Sequence, residues 1–168
     1  MSTAFIESTS TVTHAAAGKY LTFCLGRNHY GVAVPRIREI IRMTDLTAVP
    51  ATPDYVSGAI NLRGRSIPVV DLRIKFGIAL AGTSERTCIV VFQAYLAAGG
   101  RALVGMIVDA VEEVITVKSG EVVVPSAASS KPETRFILGT AMVHGSPTTL
   151  LDVDRIASAK PLEKIVTA

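Results

Sequence analysis

The chain repeats itself, and that constrains its fold more than any single motif. Placing Gly31 over Gly105 sets Glu39-Ile40-Ile41 over Glu113-Val114-Ile115, an offset of 74. Val49-Pro50 then falls on Val124-Pro125 at an offset of 75. "YVSGAINLRG" (55–64) lies over "FILGTAMVHG" (136–145) at 81, and the same offset sets Asp71 over Asp152. The drift is absorbed in loops, chiefly "PSAASSKPETR" (125–135). Each copy spans about 65–70 residues, too few for comfortable stability alone, so the copies are expected to bury apolar faces against each other.

Both copies are written in β-formers punctuated by glycine. "YLTFCLGRNHYGVAV" (20–34) reads as two strands around a Gly-Arg-Asn-His turn, and "TCIVVFQAYLAAGGRALVGMIVDAVEEVI" (87–115) as strand, turn, strand, then an acidic turn into "EEVI". "GAINLRG" and "RSIPVVDLR" are two further β-rich runs that meet at Gly64-Arg65. "PRIREIIRM" (35–43) stays open: Pro35 suits the first turn of a helix, whereas "EIIRM" also suits a strand. "TAVPATPDYV" (47–56) is a proline-punctuated connection with room for one helical turn, and 78–87 reads as an exposed loop. The fold class expected is mainly β: two five-stranded barrels sharing a core, with short helices, one of them in "LDVDRIASAK" (151–160) near the C-terminus. The domain is expected over 19–157, in approximate halves 19–80 and 87–157. Residues 1–18 would be a flexible Ser/Thr/Ala tail and 158–168 an extension.

Composition narrows the function classes. With 49% hydrophobic and 18% charged residues the chain is not disordered over most of its length. Aromatics are 5% and Trp is absent, so the core must come from Val, Ile, Leu and Ala. The N-terminus lacks a basic and an apolar region of the secretory type, and no apolar run approaches the roughly 20 residues that span a bilayer. A cytoplasmic protein with no membrane insertion is expected.

Motifs for chemistry are scarce. Cys24 and Cys88 stand in apolar runs without metal-ligand spacing and read as small buried hydrophobes. His14, His29 and His144 are not paired as HxH or HxxxH, so no metal site is expected. There is no GxSxG and no phosphate-binding glycine loop, so neither a catalytic residue nor a cofactor is assigned. Glu112 and Glu113 are adjacent and would point to opposite faces of an extended segment, as solvated edge charges. A nucleic-acid-binding barrel would interleave basic and stacking residues. Here Arg63, Arg65, Arg73 and Lys75 are joined only by Phe76, on a chain of net charge +3, which is a thin footprint.

Surface recognition remains. Arg63 is either a solvated turn charge or a planar fork of donors held up for a partner, and both readings stand on the residues alone. The second copy carries His144-Gly145 where the first has Arg63-Gly64. The shared glycine and aspartate therefore read as construction, with Gly64 in the turn and Asp71 in the scaffold. The unshared Arg63 reads as a task peculiar to the first half.

"GVAVPRIREII", "VPATP", "YVSGAINLRGRSIPVVDLR" and "VGMIVDAVEEVI" together resemble the CheW family, the chemotaxis coupling proteins, from about Lys19 to Ile156. The resemblance implies two SH3-like barrel subdomains and a function without catalysis. Such proteins bridge methyl-accepting chemotaxis receptors and the regulatory domain of the histidine kinase CheA, and can join other CheW copies in array rings at the inner face of the membrane. It implies that Arg63 and Glu39 form a surface ion pair near a receptor groove. It also places Ile37, Gly58, Val114 and Cys88 at receptor- or kinase-engaging positions, Cys88 where the family commonly has an aliphatic residue. An adaptor of another chemosensory or twitching-motility pathway is the alternative within the same family.

Overall fold

A computed structural model describes residues 17–80, 82–124, 135–159 and 162. The expected tail up to residue 16, nearly all of the 125–135 insertion and most of the C-terminal extension lie outside the described residues. The strands are β1 (Gly18–Leu25), β2 (Asn28–Ala33), β3 (Ile37–Arg42), β4 (Val56–Leu62), β5 (Arg65–Val70), β6 (Cys88–Tyr95), β7 (Arg101–Val108), β8 (Ala110–Val117), β9 (Val122–Val123), β10 (Ile137–Val143) and β11 (Ser146–Leu151). Two short helices follow the second hairpin of each copy, α1 (Leu72–Lys75) and α2 (Val153–Ser158). The segment left open, 35–43, is both things in turn: Pro35 sits in a single 3-10 turn (Val34–Arg36), and the alternating half-buried pattern from Ile37 makes a strand. Residues 47–55 hold turns and no helix. Thr47 bridges Ala59 through both backbone hydrogen bonds (2.9 and 2.8 Å), which holds that end of the connection extended.

The strands form two sheets, sheet I in the order β8-β1-β2-β11-β10-β9 and sheet II in the order β3-β6-β7-β5-β4. Under the repeat, β1 to β5 correspond to β6, β7, β8, β10 and β11, and the five-strand orders then match; β9 is a two-residue addition at one edge. Each copy gives its first hairpin to the sheet of the other. The exchange is sealed by two parallel pairings, Gly31 of β2 opposite Leu150 of β11 and Gly105 of β7 opposite Val69 of β5. A side chain at either matched glycine would crowd the junction, more tightly at Gly105. A Cβ on Gly105 would lie 2.8 Å from Ile89 Cγ2 and 3.1 Å from Val69 Cγ2, and one on Gly31 would lie 3.1 Å from Leu150 Cδ2.

The central strands are buried on both faces, which explains a composition rich in aliphatics. In β6, Ile89 and Val91 face a small core inside sheet II with Ile60, Ile67, Val69 and Ile107. Alternate residues Val90, Phe92 and Ala94 face a larger core between the sheets, with Phe23, Val32, Val104, Met106, Leu151 and Ile156. Sheet I has its own small core of Tyr20, Val117, Val122, Ala141 and Leu150. The shared core anticipated from the repeat is this larger cluster.

Asp71 and Asp152 do the same work in both copies. Each backbone N–H donates to the carbonyl of the residue just before its own hairpin, Tyr55 O and Phe136 O, at 2.7 Å, which closes the hairpin's base. Each side chain caps the helix that follows, accepting from Arg73 N in one copy and from Asp154 N and Arg155 N in the other. Beyond the caps, the copies carry opposite charges. Arg73, nearly fully buried, donates to both oxygens of Asp71 (2.9 and 2.8 Å) and to Asp109 at the β7–β8 corner (2.6 Å). In the other copy Asp154 of α2 receives Arg36 from the β2–β3 corner in a bidentate pair (2.6 and 2.9 Å). Each carboxylate also holds a neighbouring hairpin: Asp109 accepts from Gly26 N at 2.6 Å and Asp154 from Tyr95 N at 2.8 Å. The hydrogen bonds to Asp71 and Asp154, opposed by desolvation, hold both guanidinium groups further above their ordinary range.

Arg73→Met therefore leaves two carboxylates facing each other without a counter-charge. The expected loss is about 3–5 kcal/mol of unfolding free energy, with Asp109→Asn costing less, about 1–3 kcal/mol. Urea titration checks both, and an unchanged midpoint for Arg73→Met contradicts the assignment.

Candidate functional site

The hairpin β4–β5 turns through two residues, Arg63 and Gly64, with φ of 53° and 82°. The hairpin β10–β11 turns through His144 and Gly145, with φ of 50° and 79°. Two-residue turns of this kind need positive φ at both positions, which Asn, Asp or Gly reach at least cost. An arginine and a histidine occupy the strained first position instead. Asn61 Oδ1 accepts from Gly64 N at 3.0 Å and steadies the first turn.

Both strained residues reach across the open side of their barrel. Arg63 Nη2 donates to Glu39 Oε1 at 2.7 Å, joining the β4–β5 hairpin to the edge strand β3. His144 Nε2 lies 3.1 Å from Glu113 Oε1, joining the β10–β11 hairpin to the edge strand β8. The clasp is thus duplicated, with an imidazole in the second copy where the first has a guanidinium. Sequence alone hid this because an imidazole and a guanidinium look unrelated until Glu39 and Glu113 are seen at equivalent places. The Arg63 side chain is 79% exposed, so the pair contributes at most about 1 kcal/mol to stability. Glu39 Oε2 is buried without a hydrogen-bond partner.

An open groove of about 510 Å³ runs beside the first clasp. Arg38, Arg63, Arg65 and Arg101 line its rim with Glu39 and Gln93, and Leu62, Val91, Ala102 and Leu103 line its floor. Arg38 is spent on neutral acceptors, Gln93 Oε1 at 2.7 Å and Pro35 O at 3.0 Å. Arg38, Arg65, Gln93 and Arg101 were not singled out for this site from sequence. The signal that unites Arg65 and Arg101 is the parallel β5–β7 register, which no local pattern reveals.

The other expected positions are spread over the molecule. Ile37 begins β3 and packs, half-buried, against the larger core. Cys88 pairs with Arg42 at the far end of β3; burial pushes its thiol up, which disfavours the thiolate. Val114 lies in sheet I, 55% exposed on the edge strand β8, with Met142 and Val123 also exposed on that sheet. The repeat makes Ile40, 46% exposed on β3, its counterpart. Gly58 is buried in β4. Of the six, Glu39 and Arg63 are joined by a side-chain hydrogen bond, with Ile37 on the same strand as Glu39.

Glu112 and Glu113 depart from their expected separation. Leu21 pairs with Val114 and Phe23 with Val111, so both glutamates face the single residue Thr22 across a β-bulge. Thr22 Oγ1 donates to Glu113 O (2.9 Å) and accepts from Glu113 N (3.1 Å), which holds the bulge. Both carboxylates then line one polar recess, Glu112 against His29 at 2.8 Å and Glu113 against His144. Among the described residues no group of three or more His, Cys, Asp or Glu is placed to hold a metal ion. No helix among them is long and apolar enough to cross a membrane.

Residues 19–160 match the family model of the CheW-like domain. The chain belongs to the CheW family. The chemotaxis protein CheW of Klebsiella aerogenes is 26% identical over 144 residues, covering 86% of this chain and 84% of that protein. A probable chemotaxis protein CheW of Rhizobium etli is 32% identical, covering 82% and 86%, and the CheW of Rhizobium meliloti is 29% identical, covering 92% and 98%. Among solved structures, the scaffolding protein TtCheW of Thermoanaerobacter tengcongensis superposes with a TM-score of 0.74 at 28% identity, over 86% of this chain and 90% of that one. The chain is accordingly a member of a family of chemotaxis scaffold and adaptor proteins.

Within this CheW fold Gly58 has a local reason to be glycine. Its φ is 149°, and a Cβ would lie 2.7 Å from Thr47 O and 3.0 Å from Leu46 Cβ. The β4–β5 register shifts in a bulge between Val56 and Gly58, and Gly58→Ala should lower stability by about 1–3 kcal/mol by disturbing that β4 bulge and the bridge to Thr47. Thermal unfolding measures this; a variant as stable as the parent would refute the steric account.

Proposed function

We propose that this chain links methyl-accepting chemoreceptors to the regulatory domain of the histidine kinase CheA by surface contacts, without catalysing a reaction. It would act on the cytoplasmic face of the membrane, held there by the receptors, and could meet further copies of itself in the same array. Membership of the CheW family supports the adaptor role, and Arg63 is the observation that carries the choice of surface. A turn that would be relaxed with Asn or Gly instead carries a long, charged, 79% exposed side chain. Strain kept at an exposed position, for a pair worth little in stability, is explained by a partner that reads the guanidinium. Glu39 fixes the direction in which that guanidinium is presented.

Ile37 and Ile40 extend the surface along β3, and Val114 belongs to a second surface on β8. Two docking faces on separate sheets suit a protein that must hold two others at once. Cys88 and Gly58 would then act indirectly, through the strand β3 and the β4 bulge that set the first face.

The test uses two substitutions at one position. Arg63→Ala and Arg63→Asn should each weaken binding to a receptor-tip fragment or to the kinase regulatory domain by about 1–3 kcal/mol. Arg63→Asn should keep or slightly raise the melting temperature, because Asn favours the turn. Titration calorimetry together with thermal unfolding separates the two effects. Unchanged affinity for both partners would remove Arg63 from the interface.

A further inference from the structure

We propose that the cavity between the β1–β2 turn and the loop joining the two copies binds a small aromatic carboxylate. It encloses about 690 Å³, within the range that takes a small-molecule ligand, and is roomier than the groove beside the Arg63 clasp. It shares no lining residue with that groove, with the recess of Glu112 and Glu113, or with the Val114 face, so it stands apart from the docking surfaces. Its walls come from both copies. Gly26, in the β1–β2 turn, donates its N–H to Asp109 of the β7–β8 corner at 2.6 Å. Ile78 crosses the turn so closely that a Cβ on Gly26 would lie 2.6 Å from Ile78 Cγ2. Ile78 N donates to Arg73 O at 2.8 Å, which ties the start of the joining loop to α1.

Two features select the ligand. Phe23, Tyr30 and Phe76 form a ladder of near-parallel rings, with centroids 6.2 and 5.7 Å apart and 17° between planes at each step. Phe23 and Tyr30 are buried, whereas Phe76 is half-buried and lines the cavity, so the ladder runs from the core to the cavity wall and ends there. A flat ring laid on Phe76 extends it by one step, and Ile78 and Leu80 supply further apolar wall. The second feature is charge, which Arg27 and Asp109 bring to the lining. Asp109 is spent: Oδ1 accepts from Arg73 and Oδ2 from Gly26 N, both at 2.6 Å. Arg27 is exposed and, among the described residues, has no acidic partner. The uncompensated charge at the cavity is therefore a guanidinium, whose planar fork matches a carboxylate.

The probes are 2-naphthoate, its uncharged amide 2-naphthamide, and the saturated decahydro-2-naphthoate. Each is titrated into the full-length chain at low ionic strength and followed by backbone amide chemical shifts. Naphthoate should bind with a Kd on the order of 1 mM or tighter, as ordinary ligand efficiency gives for its size. The largest shifts should fall in residues 26–28 and 76–80. The amide and the saturated acid should each bind at least about fivefold more weakly. Arg27→Gln should bring naphthoate down to the level of the amide and leave the amide unchanged. Phe76→Leu should abolish the margin of naphthoate over the saturated acid, and circular dichroism verifies that both variants fold. Should Phe76→Leu fail to fold, the three probes on the parent and on Arg27→Gln decide the matter. Equal binding of the three probes, no saturable shift below about 10 mM naphthoate, shifts centred elsewhere, or indifference to Arg27→Gln each overturns the proposal. Tighter binding of a tetrapeptide ending in phenylalanine with a free carboxylate also overturns it, since the cavity then takes a chain terminus.

Discussion

The two parallel junctions, β2 beside β11 and β5 beside β7, are the constraint on which the rest of the molecule depends. Neither copy of the repeat can complete its sheet, because each has lent its first hairpin to the other. The β5–β7 junction is buried and aliphatic, and side chains from the neighbouring strands fill the space beside Gly31 and Gly105 that a Cβ would need. Exchange also dictates where the charges go. Each short helix ends a copy's second hairpin and lies next to a corner contributed by the other copy, and there an Arg–Asp bridge ties the two together, nearly buried at Arg73–Asp109 and half-buried at Arg36–Asp154. The bridges have opposite polarity, Arg73 to Asp109 in one and Asp154 to Arg36 in the other. The position therefore demands a pair, and either element can supply either sign. Pairing is what low dielectric requires of a buried charge; its polarity is free.

Much of this was legible from residues whose role is geometric. Gly31 with Gly105, Gly64 with Gly145 and Asp71 with Asp152 are matched because a close approach, a positive φ and a helix cap each accept few residue types. The repeat, the mainly β class and the shared core follow from them. The exchange of hairpins was not legible in detail, because parallel pairing joins strands far apart in sequence and leaves no local period. The clustering of Arg65 with Arg101 was hidden for the same reason.

Glu112 and Glu113 show a different limit. Alternation along a strand separates neighbours to opposite faces, and that rule fails when one partner residue faces two. The bulge depends on Thr22, which lies 91 positions from Glu113 and exchanges both of its hydroxyl hydrogen bonds with that residue's backbone. The consequence is local but large: two glutamates and two histidines meet in one recess that strict alternation would have scattered.

Duplication followed by divergence of charge accounts for how one small domain can carry two unlike surfaces. The clasp of sheet II joins Glu39 to the guanidinium of Arg63, and it sits among further arginines. The clasp of sheet I joins Glu113 to the imidazole of His144, and it sits beside Glu121, Val114 and Met142. The backbone geometry of the two hairpins is nearly the same, down to φ values of 53° and 50° at the strained residue. The two faces therefore differ in charge more than in shape. For an adaptor this matters: pseudo-symmetry alone would offer one partner two equivalent seats, and the change from Arg63 to His144 at equivalent turns breaks that equivalence.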